Sequence, residues 1–84
     1  MTNLDVAAQT FGQHLRALRL KRGLTQQTLG DRAGLPFTHI SSLERGLMMP
    51  NLVTLLRLAR ALDCRPSKLV AVFDDADLES LLAG

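Results

Sequence analysis

Leu4, Ala8, Phe11, Leu15 and Leu18 step along the start of the chain by four and three, the spacing that lays apolar side chains on one face of a helix. Gly23 follows Lys21 and Arg22, a stop signal with bases at the negative end of the helix dipole. Thr25 can cap a second helix over about 26–33 with Leu29 and Ala33 inward, and Gly34 ends it. Pro36 suits a first helical turn and opens a third helix to about 44, with Ile40 and Leu43 inward and Gly46 as its stop. Asn51 can cap a fourth helix through Leu62, with Leu52, Leu55, Leu58, Ala59 and Leu62 on or near one face. Asp63-Cys64-Arg65 breaks it, and Pro66 begins a fifth helix through about 72. Continuous two-residue alternation is missing, so the pattern predicts an all-α fold of five helices joined by short loops. It divides the chain into a helical domain over residues 1–74 and a short acidic tail or frayed helix over 75–84.

The informative stretch runs from Thr25 to Gly46. Two short helices meet through Gly34, and Gly30 sits four positions earlier. Gly30 lacks the side chain that would hold the helices apart, and Gly34 lets the backbone take positive φ at the turn. Leu29, Ile40 and Leu43 then lock the pair onto the other helices, leaving the remaining face of the third helix free. The frame Leu15…Leu18-Arg19…Gly23-Leu24-Thr25-Gln26…Leu29…Ala33-Gly34-Leu35…Ile40-Ser41…Glu44-Arg45-Gly46…Pro50…Leu55…Ala59-Arg60-Ala61-Leu62 closely resembles the Cro/repressor-type helix-turn-helix family, also called lambda-repressor-like or XRE-like. The resemblance covers roughly residues 11–72 and places the motif at about 25–45. It implies a compact five-helix lambda-repressor-like domain that binds duplex DNA as a symmetric dimer and regulates transcription.

Composition and charge agree with a binding module. Eighty-four residues make one small domain, with no room for two lobes and a substrate cleft between them. Residues 1–68 hold all ten Lys and Arg against four acids, a balance of +6, whereas 69–84 hold four acids and no base. A basic body concentrates polyanions around itself, and the acidic tail repels phosphate. The longest apolar runs are four or five residues, far short of the ~18–20 needed to cross a membrane. The single cysteine cannot close an internal disulfide or build a metal site, which suits a reducing, cytoplasmic setting. His14, His39 and Cys64 are a poorly spaced trio, so neither metal nor cofactor is expected. No nucleophile–base–orienter set is visible, and the chain does not read as an enzyme.

By position in the family, the outward residues at the start and middle of the third helix face base edges: Phe37, Thr38 and Ser42, with Ser41 beside them. Thr38 and Ser42 can exchange hydrogen bonds with bases, and Phe37 can pack on a thymine methyl. The competing reading makes Phe37 a core or dimer residue and the two hydroxyls plain surface groups. Gln26, heading the second helix, is carried over as a phosphate clamp. His39, Arg45 and Asn51 are the further phosphate candidates, although capping alone also accounts for Asn51. An arginine of the first helix commonly pairs in the family with the glutamate ending the recognition helix; Arg19 and Glu44 match, and this pair is assigned to structure. Val70 and Phe73 are the candidate dimer-interface residues, with core closure as the rival reading, and Leu69 is assigned to the core.

The chain departs from the family pattern at three places. Gly30 stands where alanine is usual, Pro36 replaces a serine or threonine cap, and Leu47-Met48-Met49 fills a loop that is often polar. The expected function is a sequence-specific, dimeric transcriptional regulator of a palindromic operator, a bare domain of the restriction–modification controller or small-repressor kind. The alternative is an antitoxin that neutralises a partner toxin and binds its own promoter. Expected partners are double-stranded DNA and a second copy, with a toxin or RNA polymerase as further contacts.

Overall fold

The computed structural model describes residues 3–82; residues 1–2 and 83–84, the outer ends of the two segments defined above, lie outside the described residues. Six helices follow in order: α1 (Asn3–Lys21), α2 (Gln26–Ala33), α3 (Phe37–Glu44), α4 (Leu52–Ala61), α5 (Pro66–Val70) and α6 (Asp75–Leu82). The fold is a compact all-α domain with a helix-turn-helix, and it carries one helix more than the five read from the sequence.

Capping chemistry sets the boundaries. The Thr25 side chain accepts a hydrogen bond from the Thr28 N–H at 3.0 Å, and Asn51 Oδ1 accepts from the Thr54 N–H at 2.8 Å, each satisfying a donor that the first helical turn leaves free. Pro36 lies just outside α3 with φ −62° and ψ 149° and no side-chain cap, so that helix begins at Phe37. Asp63 ends α4 at φ +53°, a left-handed position that a short polar side chain tolerates better than a branched one. The Asp63 and Cys64 N–H groups close back on the carbonyls of Arg60 and Ala59.

The extra helix has a local cause. The Asp77 N–H donates to Asp74 Oδ1 at 2.9 Å and the Asp74 N–H donates to Asp77 Oδ2 at 3.0 Å. This is a capping box with aspartate in both positions, and it turns the acidic tail into a helix. α6 packs against the N-terminal part of α1, where Asn3 Nδ2 donates to the Ser80 carbonyl at 3.0 Å.

Phe11, Leu15, Leu29, Ile40, Leu43, Leu58, Leu62 and Leu69 are the largest fully buried side chains. They come from five helices and meet in one cluster, with Leu18, Leu35, Leu55, Cys64 and Phe73 packed at its margin. Two members of the predicted stripes are exposed instead. Leu4 is 64% and Leu52 69% exposed; both sit in the first turn of their helices, beyond the reach of the core. α1 crosses α3 closely because Gly12 is buried there: a Cβ at Gly12 would lie 2.7 Å from the Glu44 carbonyl oxygen and against that of Leu43.

Candidate nucleic-acid interface

α2 and α3 form the helix-turn-helix. Gly34 takes φ +71° at the turn, and its N–H and that of Leu35 both return to the Gly30 carbonyl. A Cβ on Gly30 would stand 2.5 Å from the Leu35 carbonyl oxygen, so the bare α-carbon permits this tight turn. Ile40 and Leu43 are wholly buried, which fixes the rotation of α3 and decides which side chains it shows to solvent.

Phe37 is 48% exposed, so it is not a core residue here. Thr38 beside it is exposed, and Ser41 and Ser42 are half-buried one turn further on. An aromatic ring and three hydroxyls thus share one short helix. His39 is half-buried on α3, and Arg45 is exposed just past its end. Asn51 is exposed, with its Oδ1 engaged in capping α4.

Behind this surface lies a buried polar cluster. Arg19 Nε donates to Glu44 Oε2 at 2.6 Å and Arg19 Nη2 donates to Glu44 Oε1 at 3.0 Å, a two-pronged guanidinium–carboxylate pair. Arg19 Nη1 donates to the Leu24 carbonyl at 2.8 Å. The pair ties α1 and the α1–α2 loop to the last residue of α3. Gln26 joins it: its Nε2 donates to Glu44 Oε1 at 3.2 Å. The candidate phosphate clamp is therefore held against the carboxylate that anchors the end of α3. This link between residues far apart in sequence was not read from the chain; no local pattern encodes it.

Val70 is 43% exposed, whereas Phe73 is half-buried against the core. The exposed Met49, Leu52 and Val70 border a cavity of about 270 Å³ whose floor includes Phe11, Leu55 and Phe73. The Leu47-Met48-Met49 triplet lies on the surface rather than folding into the core. Among the described residues no His, Cys, Asp and Glu group is arranged to hold a metal ion, and no helix is long and apolar enough to cross a membrane. Burial raises the Cys64 thiol above its usual value of 9.0, opposed by the charges of Arg22 and Lys68.

A helix-turn-helix family model matches residues 15–69. The chain belongs to this family and is of its Cro/repressor-like, XRE-like type. The HTH-type transcriptional regulator y4dJ of Sinorhizobium fredii is 39% identical over 64 residues, covering 76% of this chain and 83% of that protein. A second regulator of the same organism, y4dL, is 49% identical over 51 residues, 61% of this chain; that match spans only 26% of the longer protein. Among solved structures, the restriction-modification controller protein C.AhdI of Aeromonas hydrophila superposes with a TM-score of 0.75 at 42% identity, covering 76% of this chain and 97% of that one. These relatives are regulators rather than enzymes.

Proposed function

We propose that this protein is a sequence-specific, double-stranded-DNA-binding transcriptional regulator that acts as a homodimer on a palindromic operator. The observation that carries the reading is the orientation of α3: Ile40 and Leu43 are buried while Phe37 and Thr38 face solvent. A single helix so presented fits a major groove, where each base pair shows a distinct pattern of donors, acceptors and methyl groups. In this reading Phe37, Thr38, Ser41 and Ser42 meet base edges, while Gln26, His39, Arg45 and Asn51 meet phosphates. Similarity to the controller C.AhdI and to y4dJ supports it.

One recognition helix reads too few base pairs to select a site in a genome. Two copies with half-sites about one helical turn, ~34 Å, apart would suffice, and the apolar rim of Met49, Leu52 and Val70 is the surface we assign to their contact. The exposed Leu47-Met48-Met49 triplet also suits the alternative of an antitoxin, for which a stoichiometric enzyme partner would have to co-purify. Mobility-shift titrations on the DNA upstream of the gene and on scrambled DNA test the main reading. Thr38→Ala and Ser42→Ala should each lose about 1–3 kcal/mol on the specific site and little on the scrambled one. Gln26→Ala should weaken both by similar factors. Equal losses on both DNAs for the hydroxyl variants would remove them from the reading set.

A further inference from the structure

Four of the ten basic residues, Lys21, Arg22, Arg65 and Lys68, line a pair of clefts outside the helix-turn-helix. Two contiguous clefts share Arg22, Cys64 and Lys68 as lining and are completed by Leu18, Lys21 and Leu62 on one side and Arg65 and Ala71 on the other. The first is about 310 Å³ and open to solvent. Its floor is apolar (Leu18, Leu62, Cys64) and its rim is cationic. Arg22 is braced there by a 3.0 Å hydrogen bond from Nη2 to the Asp63 carbonyl, and Asp63 is the one acid among the lining residues. At about 100° per residue, Lys21 lies nine residues and roughly 180° around α1 from Gly12, whose backbone faces the end of α3. The cleft therefore opens across α1 from the recognition helix.

The complementary surface lies on α6. Asp75, Leu78, Glu79 and Leu82 follow one another at i, i+3, i+4 and i+7 and are all exposed, so they share one face of that helix. Two carboxylates alternate there with two leucines, the latter 48% and 73% exposed. α6 is docked at the N-terminal end of α1 through Asn3, whereas the cleft is built on Lys21 and Arg22 at the other end. Those ends are about 27 Å apart at 1.5 Å per residue. The two surfaces match in charge and in apolar content, and α6 is anchored at the opposite end of α1 from Lys21 and Arg22.

We infer that the outward Asp75–Leu78–Glu79–Leu82 face of α6 in one copy docks into the Lys21–Arg22–Lys68 cleft of a second copy, a head-to-tail contact separate from the apolar rim assigned to the dimer. Each copy then offers one donor and one acceptor surface, so the contact is heterologous and can extend from one molecule to the next. On DNA it would join neighbouring bound copies. Its small area and ionic rim make it weak and salt-sensitive.

Sedimentation velocity without DNA tests this on the intact chain. At about 50 mM salt the weight-average sedimentation coefficient should rise with concentration. At about 500 mM, where the screening length falls to roughly 4 Å, that rise should vanish while any apolar dimer persists. Lys21→Glu/Lys68→Glu and, separately, Glu79→Lys should each weaken the low-salt association about tenfold or more. An equimolar mixture of the two variants should form a complex that neither forms alone, because each retains the surface the other has lost. Circular dichroism on each variant establishes that it is folded, and Lys21→Gln/Lys68→Gln replaces a charge reversal that is not. A wild type with the same sedimentation coefficient at both salts would overturn the inference, as would a mixture that shows no new species.

Discussion

Glu44→Ala should be among the most damaging single substitutions in this protein. The Arg19 and Glu44 side chains are only 9% and 2% exposed, so removal of the carboxylate leaves a buried guanidinium with the Leu24 carbonyl as its remaining anchor named above. Breaking a buried pair from one side costs about 3–5 kcal/mol, chiefly because the surviving charge stays out of water. A chain of this length has a total stability of roughly 4–13 kcal/mol, so Glu44→Ala would consume much of it. Arg19→Met should be costly for the mirror-image reason, leaving a buried carboxylate with Gln26 as its remaining partner among the described residues. The double variant Arg19→Met/Glu44→Leu removes both charges and fills the space with apolar atoms. It should be more stable than the sum of the single losses predicts, by about 2 kcal/mol or more. Urea unfolding followed by circular dichroism, with an unchanged slope against denaturant, gives each value. Because the pair is buried, 1 M salt should move the result little. A Glu44→Ala cost below about 1 kcal/mol, or single losses that simply add, would show a solvated surface bridge and refute the reasoning.

Two further substitutions or conditions test the packing. Gly12→Ala gains ~1 kcal/mol of helix propensity but drives a Cβ to 2.7 Å from the Glu44 carbonyl oxygen. The net loss should be about 1–3 kcal/mol, read as a lower Tm; an unchanged or raised Tm would show that α1 and α3 can separate freely. Cys64 should be alkylated by iodoacetamide more slowly than an exposed thiol at neutral pH, its rate rising with pH and levelling off only above the usual value of 9.0, because burial favours the neutral thiol despite Arg22 and Lys68. The sign for stability follows: the advantage of the buried neutral thiol is present below the unfolded pKa and is lost as pH rises through the higher folded value. Rapid alkylation at pH 7 would contradict this.

Most helix boundaries were legible because their causes are local, although α5 ends at Val70 rather than at about 72 and Pro36 stands just outside α3. Thr25, Gly34 and Asn51 act on backbone groups within a few residues of themselves, and the apolar stripe of Phe11, Leu15 and Leu18 marks the inner face of α1. Periodicity fails at first turns: Leu4 and Leu52 keep the spacing of a buried stripe but lie where the core has ended. α6 was half-legible. Its acidic composition argued for a solvated tail, while the reciprocal Asp74–Asp77 cap is a four-residue signal that outweighs composition in the backbone's own accounting of donors.

Gly12 shows the opposite limit. In sequence a mid-helix glycine is only a propensity loss, and its purpose appears only when the Leu43 and Glu44 carbonyls arrive from another helix. The polar cluster behind the interface is of the same kind. Arg19 and Glu44 came to notice through a family resemblance, and nothing in spacing or propensity would join them across 25 residues. Gln26 was read as a helix-terminal amide, yet its Nε2 is bonded to the carboxylate that closes α3. Local chemistry thus decides where helices begin and end. The angle at which α3 is presented is decided by Gly12, which lets it approach, and by Arg19, which holds its last residue. Those two α1 residues lie seven apart, about two turns and on nearly the same face, so a single face of α1 both admits α3 and fixes it.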